Sequence, residues 1–192
     1  MDYKNYIKDY IDKVIQVLNL IDKDAVNDVL KEIINAYERE GIIYIFGNGG
    51  SAATASHFAN DFNKGISEYT DKKFKFLCLN DNIPTLTAIA NDIGYEEIYS
   101  FQLRGRLEKD DLVIGISGSG NSKNVINALQ YANENGIRTI GITGYDGGRV
   151  SRMVDVSLNV PINNMQITED IHMIFDHLIM TVLYQVWGIV GH

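Results

Sequence analysis

Apolar positions change their spacing along this chain, and each change marks an element. Tyr6, Ile7, Tyr10, Ile11, Val14, Ile15, Leu18 and Ile21 recur at helical intervals and define one face of a helix. A second stripe, Val26, Val29, Leu30, Ile33, Ile34 and Tyr37, predicts another helix with Gly41 as its stop signal. The pattern then turns to short continuous apolar runs, as in strands buried on both faces. Residues 42–46 are such a run, and 74–79, 112–116, 137–142 and 154–160 read as four further strands. Helical stretches separate them: 51 to about 63 with Ser51 as N-cap, 84–91 with Pro84 near its start, 95–107, and 122–135 stopped by Gly136. Residues 143–148 read as a turn, and 168 to about 190 as a long apolar final helix.

Five strands alternating with helices predict an α/β fold, a doubly wound five-stranded parallel sheet flanked by helices and preceded by two leading helices. No repeat, low-complexity segment or linker interrupts residues 1–192, which read as a single domain. In a flavodoxin-like strand order, strands one and three flank the topological switch point. Two glycine- and serine-rich loops follow those strands: Gly47-Asn48-Gly49-Gly50-Ser51 and Ser117-Gly118-Ser119-Gly120-Asn121-Ser122. Each lies between a strand and a helix, where backbone N–H groups, the helix N-terminus and serine hydroxyls together make a phosphate cradle. Three serines interleaved with two glycines exceed what one helix cap needs, although Ser122 alone would serve as an N-cap.

The first loop also fits the loose dinucleotide pattern G-x-G-x-x-A, but the nearest strand-end acid, Asp81, stands about thirty residues on rather than about twenty. Neither loop runs into G-K-[ST], so no nucleotide cofactor is expected. The formal net charge of −8, with no basic stripe, opposes nucleic-acid binding. No apolar stretch approaches the ~20 residues of a membrane span. The start, Met1-Asp2-Tyr3-Lys4, shows no secretory pattern, and the lone Cys78 sits in an apolar run. A cytoplasmic protein is expected.

Two groups of titratable residues remain. His57 and Asp61 are four apart on the helix that begins at the first loop, a spacing suited to one metal ion or to acid–base work. The final helix carries Glu169, Asp170, His172, Asp176 and His177 among apolar residues. Glu169 and Asp170 suit a helix N-terminus. His172 and His177, five apart, point to different faces; His172 reads as a core or interface histidine and His177 as the functional one. Glu169 and His177 are about 12 Å apart along a straight helix, so they meet at one ion only if Glu169 lies on a bent or frayed first turn.

Taken with Ala55-Ser56-His57-Phe58-Ala59, Ala90-Asn91-Asp92-Ile93-Gly94-Tyr95 and Thr143-Gly144-Tyr145-Asp146-Gly147-Gly148, the two loops give the chain a resemblance to the phosphoheptose isomerase family of the sugar isomerase (SIS) fold. The similarity spans nearly the whole length. It implies isomerisation of sedoheptulose 7-phosphate to D-glycero-D-manno-heptose 7-phosphate through an enediol, in a homotetramer whose sites are completed by neighbouring subunits. It implies that Ser51, Ser117, Ser119 and Ser122 hold the phosphate, with Asn48 and Asp92 near the sugar. The family position matching Gly118 is usually threonine, and a basic residue carried after the first post-loop helix is approximated by Lys64. The resemblance further implies one zinc ion on His57, Asp61, Glu169 and His177. Here Asp61 stands for the family's glutamate and Glu169 for its glutamine. His177 is then the acid, and Asp61 or Glu169 the base. SIS-fold relatives also include phosphosugar-sensing regulators and a replication-initiator-binding protein; retention of His57, Asp61, Glu169 and His177 favours an enzyme, on this or another ketose phosphate.

Overall fold

The computed structural model describes residues 1–189; His192 lies outside them, and the final helix ends at Val186, with Trp187 as its C-cap, rather than near residue 190. Two leading helices, α1 (Lys4–Leu18) and α2 (Lys23–Glu38), precede strand β1 (Ile43–Gly47) and helix α3 (Gly50–Asn60). Then come β2 (Phe76–Cys78), α4 (Ile83–Asp92), α5 (Ser100–Leu103), β3 (Leu112–Ser117), α6 (Lys123–Glu134), β4 (Arg138–Gly144), α7 (Val150–Met153), β5 (Val156–Val160) and α8 (Met165–Val186). The sheet is parallel throughout, in the order β2-β1-β3-β4-β5. β1 and β3 are therefore neighbours, with Gly47 opposite Ile116. The two glycine–serine loops leave one sheet edge side by side, as the strand order required.

Alternation along the strands divides the core in two. Ile43, Ile45, Leu112, Ile114 and Ile116 face α2, α3 and α8, where Val29, Ile33, Phe58, Ile171, Phe175 and Ile179 meet them. Tyr44, Phe46 and Val113 point to the opposite face and pack with Ile89, Tyr99, Leu103, Val125 and Leu129 from α4, α5 and α6.

Several elements differ from the sequence expectation. β2 is three residues long. Residues 95–107 form a 3-10 turn, Tyr95–Glu97, and the single turn α5 rather than one helix. Ile98, Tyr99 and Leu103 are buried there, so their apolar spacing reflects core anchoring, and Gly105 at φ +71 turns the chain away. α8 starts three residues earlier than expected, because the Asn164 side chain accepts from Ile167 N at 3.0 Å and caps it. α3 is entered through Gly49 at φ +56, which leaves Ser51 buried within the first turn rather than at the cap. Beyond Asn60 the helix widens into a π-helical turn, Asp61–Gly65, then tightens into a 3-10 turn, Ile66–Tyr69. Among the described residues, no helix is long and apolar enough to cross a membrane.

Of α1, only Val17 is buried, and Tyr3, Tyr6, Ile7, Tyr10, Ile11 and Ile15 are exposed. The chain's own sheet does not cover this stripe. The Tyr10 hydroxyl donates a hydrogen bond to Asp170 on α8.

Candidate functional site

The first loop is held by a buried amide–phenol network. Gly47 N donates to Asn80 Oδ1 at 3.2 Å, and Asn80 Nδ2 returns a bond to Gly47 O at 2.9 Å. Asn80 also donates to the Tyr99 hydroxyl, which reaches both Gly47 O and Asn48 Oδ1. Asn48 and Asn124 exchange a reciprocal amide pair, 2.9 Å each way, and Tyr95 donates to Asn48 Oδ1 at 3.1 Å. A cleft lined by Asn48, Gly49, Leu86, Thr87, Ala90 and Tyr95 opens beside the loop. Asn80, Tyr99 and Asn124 escaped the sequence reading, and Tyr95 entered it only within the Ala90–Tyr95 motif. Their signal is three-dimensional, since each sits on a different element.

The second loop interlocks with the one after β4. Gly144 N donates to Gly118 O, Val150 N to Gly120 O and Arg149 N to Asn121 Oδ1. The contact is so close that a Cβ on Gly120 would lie 2.0 Å from Gly147 O. Ser122 takes the N-cap position of α6, yet its hydroxyl makes no cap bond. It lies 3.1 Å from the Ser117 hydroxyl instead. Ser119 Oγ accepts from Asn121 N at 3.2 Å. Ser117 and Ser122 thus converge while Ser119 sits at the loop's tip. Asp92 ends α4, exposed, and accepts from Asn91 Nδ2 at 2.7 Å.

Beyond the loops, α3 and α8 bring four donors together. His57 Nε2 lies 3.1 Å from His177 Nε2 and 3.3 Å from Asp61 Oδ2. Asp61 Oδ2 is 3.9 Å from His177 Nε2, and Asp176 Oδ2 is 3.9 Å from His57 Nε2. One ligand atom from each of these four lies within 4.8 Å of all the others. Imidazole and carboxylate donors so arranged suit zinc. Asp176 is wholly buried, and burial, aided by the charge of Asp61, pushes its carboxyl up to about 8. Asp61 opens the π-helical turn, and such single turns are frequent at functional sites. Among the described residues, Glu169 is not a member of this group. Its carboxylate lies against the bare backbone of Gly50, where a Cβ would sit 2.4 Å from Oε2. A carboxylate is well placed against the partial positive charge of that helix start.

His172 is the buried histidine the sequence suggested. Its Nε2 lies 3.0 Å from Thr143 O, a pure acceptor, so Nε2 carries the proton, and Nδ1 has no partner. Burial lowers its pKa from 6.5 to about 4, against a smaller opposing pull from the Thr143 carbonyl. The unfolded chain therefore takes up this proton first. The stability that neutral His172 supports is complete above pH 6.5 and is lost as pH falls through about 4. The variant His172→Asn keeps a donor and cannot be protonated. Its urea midpoint should fall less steeply than the wild-type midpoint between pH 6.5 and 4; parallel slopes would refute the assignment.

A family model for the SIS domain matches residues 3–144. The phosphoheptose isomerase of Aliarcobacter butzleri is 37% identical over 173 residues, covering 90% of this chain and 89% of that protein. The chain belongs to the phosphoheptose isomerase family. It is an enzyme, an isomerase of the aldose–ketose type. The structure of a phosphoheptose isomerase from Neisseria gonorrhoeae superposes with a TM-score of 0.87 at 29% identity, covering 96% of this chain and all of that one (100%). That from Francisella tularensis gives 0.88 at 25% identity, with coverages of 96% and 100%. Against the family pattern, the space that a side chain at Gly118 would enter is filled by Met165, whose Sδ would lie 2.5 Å from an added Cβ.

Proposed function

We propose that this enzyme interconverts sedoheptulose 7-phosphate and D-glycero-D-manno-heptose 7-phosphate through an enediol. The observation that carries the reading is the pairing of two glycine–serine loops at adjacent strand ends with an acid–base cluster on the helices α3 and α8. Ser51, Ser117, Ser119 and Ser122 bind the phosphate, with the loop amides and helix starts adding positive potential. Asn48 and Asp92 contact the sugar hydroxyls. Anchoring the phosphate holds the other end of the sugar still, which turns proton transfer into a positioned step.

In the ketose-to-aldose direction, a carboxylate, Glu169 or Asp61, takes a proton from C1, and the C–H electron pair forms the C1–C2 double bond. His177 delivers a proton to the C2 oxygen, giving the enediol. Return of a proton to C2, with loss of one from the C1 hydroxyl, completes the aldose, so the sum of protons is unchanged. His57, Asp61, His177 and a further carboxylate would hold a divalent cation, zinc by donor type, which supplies polarisation of the carbonyl and stabilisation of negative charge on oxygen. The uncovered stripe on α1 supports a homotetramer with shared sites, and we place the enzyme in the cytoplasm.

Purified protein should convert the ketose phosphate to the aldose, with activity lost on chelation and restored by zinc. Folded protein that binds the ketose phosphate and turns none over, with or without zinc, would overturn the substrate and redirect the reading to another phosphosugar or a sensor.

A further inference from the structure

The identity of that further carboxylate follows from the buried end of the cluster. Asp176 is 0% exposed, and neither of its oxygens has a hydrogen-bond partner. A buried carboxylate left unpaired costs several kcal/mol unless a cation or proton satisfies it. The His57 ring is its cross-helix neighbour, with Nε2 3.9 Å from Oδ2, beyond hydrogen-bond reach. His57 and His177 present Nε2 atoms to each other at 3.1 Å, so with both rings in the Nδ1–H tautomer their two Nε2 lone pairs are directed to one place, as ligands of a shared ion would be. The four donor atoms are separated by spacings, 3.1 to 3.9 Å where measured, that bracket the roughly 3.3 Å edge of a tetrahedron with arms of about 2.0–2.1 Å. Glu169 stands apart, with its carboxylate against the first turn of α3.

We infer that Asp176, not Glu169, completes the metal-binding set of this enzyme, with His57, Asp61 and His177. The residue that the family resemblance placed on the ion is thereby released. With Asp61 engaged on the ion, Glu169 is the carboxylate left to move the proton at carbon. This deepens the metal-assisted reading above and rests on it for its catalytic meaning, but its test contains no sugar. A failure to isomerise heptose phosphate is therefore separable from a failure here.

Metal-stripped wild type, Asp176→Asn, Asp176→Leu and Glu169→Gln are titrated with zinc in competition with a chromophoric chelator, and with cobalt(II) while its visible absorption is followed. Zinc affinity should fall at least about tenfold in Asp176→Asn, since even groups outside the ligand shell contribute that much. The cobalt spectrum should change with it. In Glu169→Gln both should stay within about twofold of wild type. Asp176→Leu guards against a mere folding defect, because an apolar side chain suits the buried position but cannot ligate. Its metal-free melting temperature should match or exceed that of wild type, and the rise caused by zinc should vanish. Loss of affinity in Glu169→Gln, full affinity in both Asp176 variants, or a wild type that binds neither metal would each overturn the inference.

Discussion

With His177 replaced by alanine, kcat for heptose phosphate isomerisation should fall by about 10²–10⁴-fold, the range contributed by one positioned acid–base group. His177 is exposed on α8, and its Nε2 faces His57 at 3.1 Å and Asp61 at 3.9 Å. No phosphate-loop serine is among those partners. The loss should therefore sit in kcat, with the ketose phosphate still bound when measured by calorimetry, and zinc content is measured on the same sample because His177 also belongs to the proposed ion-binding set. An unchanged kcat removes His177 from the mechanism. Lost binding with an unchanged kcat would move it into the phosphate site.

The second large effect concerns the frame. Gly120→Ala should lower stability by about 2–5 kcal/mol, combining a strained backbone with overpacking. Gly120 has φ +64, and the added Cβ would lie 2.0 Å from Gly147 O and 2.5 Å from its carbon. Those atoms are backbone and cannot rotate aside, so the two interlocked loops must part. At this chain length the melting temperature should drop by roughly 4–20 °C, and phosphosugar affinity should fall with it. Gly136→Ala is the control. Gly136 has φ +71 with nothing within 4 Å of the added atom, so it carries the conformational cost alone, about 1–2 kcal/mol. Equal losses in the two variants would show that the interlock contributes nothing.

The fold was legible because the two apolar periods are distinct here. Continuous runs at 42–46 and 112–116 have no helical reading of comparable length, and glycine–serine loops follow both. Parallel strands in the expected order then place those loops together without further information. Segment 95–107 misled because core anchoring of Ile98, Tyr99 and Leu103 imitates helical spacing. The serines of the second loop were visible as a pattern, whereas the network of Asn80, Tyr99, Asn48 and Asn124 that fixes the first loop draws on four separate segments of the chain. Spacing also hid Asp176. It adjoins His177 in the chain, so helix geometry puts the two about 100° apart, on different faces. They converge only because α3 crosses α8 there, with a π-helical turn beginning at Asp61. Glu169, by contrast, stands at the position of the family's glutamine but packs on Gly50.

The sheet's two-sided core gives the enzyme a division of faults. The helix that opens at the second serine loop rests on one face, and the helices that carry the histidines rest on the other. On the proposed roles, packing damage behind α6 would reach the second loop's serines alone, whereas damage behind α3 and α8 would reach Ser51 and the histidines together. On those roles a lineage could lose affinity alone through the α6 side, while the α3 and α8 side ties affinity and chemistry together, with β1 and β3 lying between the two.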